Sequence, residues 1–426
     1  MPALFPALIT AIFVAALALA VVRPGGIGEA WWTAAGAALV LVLGGIGPGG
    51  AWQAISQQAN VILFLLGLMA IAGLSDVAGV FDVAGALAAA LGRGSGRLLL
   101  LTTFGVGALL TAFLSNDATA LILTPVIYAT ATRLRLRPLP YLLAATFVAD
   151  TASLLLPVSN PINVLVGARL GLSLSGYLAH FLPAAVLVVV INATVFLAVF
   201  WRDTGDHYRT EWRPLLRESV PDRRHLILTT GGLILVAAGY LVASSVGAPV
   251  GAVACGGAVL LVIVAVSRRR LVLHRVREQV SLSVLLYVAG LFVMVAALQR
   301  VGVTADLTRW LTHLVVSGPA ALAAGTIAAA VASNLANNVP SATFLLSSSH
   351  ALPSGARLPF LSGVLLGADL GPNLTPVGSL STMLWLVTVR RQGVAFRTGD
   401  YLRLGAITMP LLLLAAWAPV AATYRP

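Results

Sequence analysis

The chain has 426 residues, of which 59% are hydrophobic and 9% charged, against about 25% charged in a soluble domain. Together with a mean hydropathy of +0.97, this excludes a soluble globular fold and points to an all-α polytopic membrane protein. The net charge of +12 is carried by arginine, with no lysine in the chain. These arginines sit in short loops between apolar segments, so they report membrane topology and not a nucleic-acid partner.

The first apolar segment, Leu4–Val22, has no basic stretch before it and is long enough to span, so it reads as a membrane helix and not as a cleaved leader. Spans follow near Ala30–Ile46 and Val61–Val77, then an amphipathic piece, Val80–Leu91. Leu98–Ala131 is apolar but interrupted by Ser115-Asn116-Asp117. Each half is short for a span, which predicts a re-entrant hairpin with a polar tip. Tyr141–Val166 and Tyr177–Trp201 complete a first repeat, residues 1–201, with the hairpin at 98–131 and a broken helix at 141–166. Arg202–Arg224 holds six Arg, three Asp and two Glu and reads as a solvated linker. The order recurs in residues 225–426: Leu226–Ala243, Pro249–Val266, a basic loop Arg268–Arg277, Leu282–Leu298 and an amphipathic piece Val303–Val316. A second hairpin, Ala320–Leu346 (tip Asn334–Pro340), a broken span, Leu358–Val389, and Leu404–Val420 follow.

Two stretches organise this order. GADLGPNLTPVGSLSTMLW, Gly367–Trp385, puts a carboxylate, two prolines and an amide inside an apolar span. Proline removes a backbone donor and glycine loosens a helix, so the helix is predicted to break near Gly371–Gly378. Freed backbone groups at membrane depth must then be buried in protein or line a wet cavity. ADTASLLLPVSNPINVLV, Ala149–Val166, repeats the pattern 219 residues earlier, with Asp150 matching Asp369 and Pro157 matching Pro376. Gly79 matches Gly302, and Asn116 matches Asn337. Paired interrupted helices in two halves mark the binding site of many secondary transporters. Five spans per half is an odd number, so the expected fold is an inverted repeat of 5+5 transmembrane helices with two re-entrant hairpins and two broken helices. The dense arginine clusters fall on one side of that arrangement, which makes that side cytoplasmic and places both termini outside.

Asp150 and Asp369 at the breaks, and Asp117 at the first tip, are the candidate proton carriers. An ionised carboxylate inside a membrane is costly unless solvated or paired, and low dielectric disfavours its charged form. Asp117 has a plainer reading as the cap of a helix starting at Ala118. Amides and hydroxyls form the second group: Ser115, Asn116 and Thr119 at tip one, and Asn334, Asn337, Asn338 and Ser341 at tip two. Ser159, Asn160 and Asn163 belong to break one, and Asn373, Thr375, Ser379 and Ser381 to break two. Such groups and helix ends hold small polar solutes or cations, or bond helices to one another. No Arg lies within hairpins or breaks, so a dianion would rest on helix N-termini and amides alone, which favours an uncharged solute. The six His lie in loops or at span ends, which argues against a His relay. The single Cys255 forms neither an internal disulfide nor a multi-thiolate metal site. A chain without lysine has no Walker A motif, and no cofactor or metal is expected.

SNDATALILTPV (Ser115–Val126), ADTASLLLPVSNPINVLV, NNVPS (Asn337–Ser341), the Gly367–Trp385 stretch and GDYLRLG (Gly399–Gly405) together resemble the arsenite efflux permeases of the ArsB type, within the ion transporter superfamily. The resemblance implies export of arsenite and antimonite, as neutral trihydroxides, in exchange for protons across a bacterial or archaeal plasma membrane. It also implies a scaffold-plus-transport-domain homodimer, and in some members a separate soluble ATPase subunit. Related members of the superfamily include sodium-coupled dicarboxylate carriers and sodium/proton antiporters, which stand as alternatives beside a passive channel. An enzyme is disfavoured, because no nucleophile–base pair lies at membrane depth.

Overall fold

The computed structural model describes residues 4–22, 24–208, 222–246, 248–270, 282–303, 318–349, 352–376, 378–394 and 396–424, with the single positions 276, 280 and 309. All of the amphipathic piece Val303–Val316 but Val303 and Arg309, and most of the linker, therefore lie outside the described residues. Within them every named element is helical. The first half runs α1 Leu4–Val22, α2 Glu29–Val42, α3 Pro48–Ser56, α4 Ala59–Val77, α5 Val80–Leu91, α6 Gly96–Leu114, α7 Thr124–Arg133, α8 Leu139–Thr151, α9 Pro161–Leu170 and α10 Leu174–Val199. The second runs α11 Arg223–Val246, α12 Val250–Ser267, α13 Leu282–Arg300, α14 Gly318–Ala336, α15 Asn338–Ser348, α16 Ser354–Leu370, α17 Leu380–Arg391 and α18 Thr398–Ala422. Seven of these (α4, α6, α10, α12, α13, α14 and α18) are long and apolar enough to cross a membrane.

Three expectations shift. The span placed at Ala30–Ile46 is a 14-residue helix ending at Val42, and Pro48 opens a separate short helix before α4. The outgoing hairpin arms α6 and α14 have 19 residues each, so neither is too short to span. The first return arm is helical without a gap from Asn116 to Arg133, through a π-register turn into α7, whereas the second, α15, has only 11 residues. Leu123 lies back against Gly107 of α6, so the chain does reverse at Ser115. Third, the backbone relates the tips by a different register. Ser115 (φ 116, ψ 160) and Asn337 (φ 72, ψ 154) share the same strained conformation, and each caps the arm that follows. Ser115 thus corresponds to Asn337, one residue off the Asn116–Asn337 match. Gly79 (φ 83) and Gly302 (φ 89) keep theirs, each turning the chain in the left-handed region.

Helix crossings are set by small residues. Gly67 of α4 faces Ala254 of α12, where an added Cβ would lie 2.6 Å from the alanine Cβ. Gly290 of α13 faces Thr33 of α2, where an added Cβ would meet the threonine carbonyl at 2.9 Å. The two crossings exchange partners between halves. Gly363 and Gly367 of α16 line up against α14, where added Cβ atoms would each come within 2.8 Å of a backbone nitrogen, of Thr326 and Ala330 respectively. With Gly371 they form a ridge at spacing four, which lets two backbones touch.

α10 fixes the two ends of the molecule. Near its start His180 meets Ser362 of α16 and Thr423 beyond α18. Just past its end, Trp201 stacks under the Arg97 guanidinium at 3.7 Å and Asp203 pairs with Arg137 at 2.9 Å. Helix α8 therefore starts at the Trp201 end of α10, and α16 starts at the His180 end.

Candidate functional site

Proline and a side-chain cap build each break. After α8 the chain runs through short 3-10 turns, Ala152–Leu155 and Pro157–Ser159, separated by extended Leu156. Asn160 is extended (φ −147, ψ 137) and caps α9 by accepting from the Ile162 N–H at 3.1 Å. Pro161 takes the first helical position, where its missing donor costs nothing and its fixed φ suits the helix. After α16 a 3-10 turn, Gly371–Asn373, leads to extended Ser379, which caps α17 by accepting from the Thr382 N–H at 3.2 Å. Both breaks fall where the prolines placed them.

The two carboxylates reach across to each other's break. Asp150 is 1% exposed. Its Oδ1 accepts from the hydroxyls of Ser379 at 2.9 Å and Ser381 at 2.5 Å, and its Oδ2 from Thr382 at 2.7 Å. Asp369, also 1% exposed, accepts on Oδ1 from the Asn160 amide at 2.8 Å. Asn163 and Ser153 stand beside it. Asn160 and Ser379 are themselves 219 residues apart, as are Asn163 and Thr382 and the two aspartates. Each acid is thus held by the cap of the other half's broken helix, at the end where the helix dipole is positive. Asn116 reaches Asp150 from the first tip.

The pairs are not equally satisfied. Asp150 has a hydroxyl donor on each oxygen. Asp369 Oδ2 is buried without a partner, as are Asn163 Oδ1 at the first break, Asn373 Oδ1 at the second, and Asn338 Oδ1 and Ser341 Oγ on α15. The amide orientations are fixed by their nitrogens: Asn163 donates to the Ser153 carbonyl at 2.7 Å and Asn373 to the Leu370 carbonyl at 3.0 Å. Buried polar atoms are paired in the great majority of cases, so Asp369 Oδ2, Asn163 Oδ1 and Asn373 Oδ1 leave acceptor capacity unused at the breaks.

Asp117 is not the cap of its helix. Ser115 accepts from the Ala118 N–H, and Asn116 accepts from the Asp117 N–H. The Asp117 carboxylate instead lines a cavity of about 220 Å³ with Ser115, Leu65, Met69, Pro161 and Thr388. Beyond it Thr119–Leu123 runs in the wider π register, which recurs at functional sites.

Several expected ligands serve the scaffold. The Ser159 hydroxyl donates to the Ala112 carbonyl at 3.2 Å, Thr119 to the Ser115 carbonyl at 2.9 Å and Thr375 to Asn334 at 2.8 Å. Ser381, expected at the second break, does reach Asp150. Residues that the sequence did not single out are Thr382 on Asp150, Ser153 beside Asp369, and Tyr401, whose buried hydroxyl has no partner and lies near Thr382. Carrying the 219-residue offset from the acids to the caps would have found Thr382. Among the described residues no group of His, Cys, Asp and Glu could hold a metal ion.

The citrate transporter family (CitMHS) matches residues 10–362. The arsenical pump membrane protein of Escherichia coli strain K12 is 31% identical over 411 residues, 95% of this chain and 96% of that one. The chain belongs to the ArsB-type arsenical pump permeases. It is a multi-pass membrane transporter of the citrate transporter and arsenical pump family. In fold it is similar to the YdaH transporter of Alcanivorax borkumensis, with a TM-score of 0.56, 16% identity, and 87% of this chain and 86% of that one covered. It is also similar to MtrF of Neisseria gonorrhoeae, with a TM-score of 0.54, 13% identity, and 85% and 80% covered.

Proposed function

We propose that this permease exports arsenite and antimonite as neutral trihydroxides in exchange for protons, across a plasma membrane with both termini outside. One observation carries the reading: the unpaired buried atoms of the broken segments themselves, Asp369 Oδ2, Asn163 Oδ1 and Asn373 Oδ1, are acceptors, and no arginine or histidine stands among them. A trihydroxide brings three O–H donors. Citrate brings carboxylates, which would have to rest on helix N-termini and on hydroxyls and amides already engaged with Asp150 and Asp369, without a cationic side chain.

The same geometry supplies exchange. An ionised Asp369 accepts a hydroxyl of the solute, and a proton on that oxygen turns the acceptor into a donor. Proton and solute then compete for one oxygen, so loading one releases the other. Asp150, with donors on both oxygens, positions α17 and is the second carrier. Asp117 faces a cavity and is the group through which protons arrive.

The test is proton-driven arsenite uptake in everted vesicles. Asp369→Asn is expected to lower it at least about tenfold, a barrier of ~1.4 kcal/mol, with Asp150→Asn and Asp117→Asn measured alongside. Uptake of citrate, or sodium-driven flux insensitive to a protonophore, would overturn the reading.

A further inference from the structure

A second polar chamber lies apart from the carboxylates. One lobe of about 330 Å³ is lined by Gln57, Gln58, Arg169, Gln299, Thr343 and Ser347 among apolar side chains. A second, of about 220 Å³, shares most of these and adds Asn60. No residue of the centre described above lines either lobe, and no carboxylate does.

Its walls come from different parts of the fold. Helices α9 and α15 form one wall, and both begin at the centre, α9 behind Asn160 and α15 behind Asn337. The other wall is the α3–α4 junction with the last turns of α13, a helix packed on α2 and α3. Across the gap the Gln299 amide donates to the Ser347 hydroxyl, which in turn donates to the Thr343 carbonyl at 2.9 Å. Arg169 stands nine residues beyond Asn160 on α9, about 13 Å along the helix.

We infer that this chamber is a second binding site, a vestibule for a small uncharged polyhydroxylated solute on its way out of the centre, with the Gln299–Ser347 bond as its latch. Amides and hydroxyls both donate and accept, which matches a solute whose hydroxyls do the same. The chamber has room for such a solute with part of its water shell. The direction of flow rests on the export reading above; the existence of the site does not.

Ala296 lines the chamber without belonging to the centre, and Ala54 is a second such position. In a Cys255→Ser chain, Ala296→Cys and Ala54→Cys are treated with a membrane-impermeant cationic methanethiosulfonate. Intact cells should label faster than everted vesicles, and labelling should lower efflux at least about tenfold relative to the same chain unlabelled. Excess boric acid, an uncharged trihydroxide without affinity for thiols, should slow the labelling. Unchanged efflux after labelling at both positions, faster labelling in everted vesicles, or no protection by boric acid would each overturn the inference. If the wild-type chain carries citrate and not arsenite, the export reading fails alone, because protection of both cysteines by boric acid would still uphold a site for an uncharged solute.

Discussion

Asp150 and Asp369 are related by the repeat, yet their hydrogen bonds give them different sensitivities. Asp150 Oδ1 has two hydroxyl donors and Oδ2 one. Thr382→Val leaves Oδ2 bare and should cost ~1.5–3 kcal/mol, the range for bonds to charged groups, whereas Ser381→Ala leaves Ser379 in place and should cost under ~1. Thermal unfolding in detergent checks the order; equal losses would mean that the three hydroxyls act as one unit. Asn160→Ala removes the donor to Asp369 Oδ1 and the cap of α9 together. Cys255 bonds the Leu63 carbonyl at 3.5 Å, on α12 against α4 and away from both acids. Cys255→Ser cells should therefore keep arsenite resistance. Loss of resistance at normal expression would point to thiolate recognition.

At the scale of elements, glycine spacing matters more than glycine number. The ridge Gly363–Gly367–Gly371 seats α16 against α14 backbone to backbone. An added methyl at Gly367 would overpack this contact, and Gly367→Ala should destabilise by about 1–3 kcal/mol. Gly105 of α6 has open space around its Cβ position, so Gly105→Ala should stabilise by about 0.5–1 kcal/mol through helix propensity. Melting temperatures moving in opposite directions would verify both; a fall at Gly105 would reveal a contact outside the monomer. The corresponding ridge in α8 is Ala144, Val148 and Ala152, so the second hairpin sits closer to its broken helix than the first. The π register after Asp117 lies on the looser of the two.

For the whole molecule, the Asp–Arg ion pairs lie beyond the apolar spans, where water competes with them, while the buried polar contacts gather at the two breaks between glycine and alanine crossings. One end contact is titratable. Asp222 caps α11 and pairs with Arg268 at 3.2 Å and Arg270 at 3.7 Å. The His225 N–H, followed by Arg268, holds its carboxyl below the usual range. A depressed carboxylate contributes stability above its unfolded value, about 3.9, and loses it as pH falls through the folded one. Asp222→Asn should therefore melt below wild type at pH 7, and the gap should close under about pH 4. A gap independent of pH would assign the effect to the cap alone.

Membrane class, the positions of both breaks and the identity of the candidate acids were legible because each is a local conflict between an apolar run and a proline, amide or carboxylate. In a bilayer such a conflict stands only where the polar or freed groups are buried in protein or face water. The arms of the first hairpin run slightly longer than its apolar stretch, because apolar length does not show where a cap such as Ser95 begins a helix. What only the tertiary structure decided is which polar groups meet: Asp150 with Ser379, Ser381 and Thr382, and Asp369 with Asn160. Those partners lie more than 200 residues apart, and they come together because the breaks of the two halves cross. Hydrogen bonds are directional and short, so composition can supply the donors and acceptors while the packing of helices chooses the pairs and leaves Asp369 Oδ2 bare.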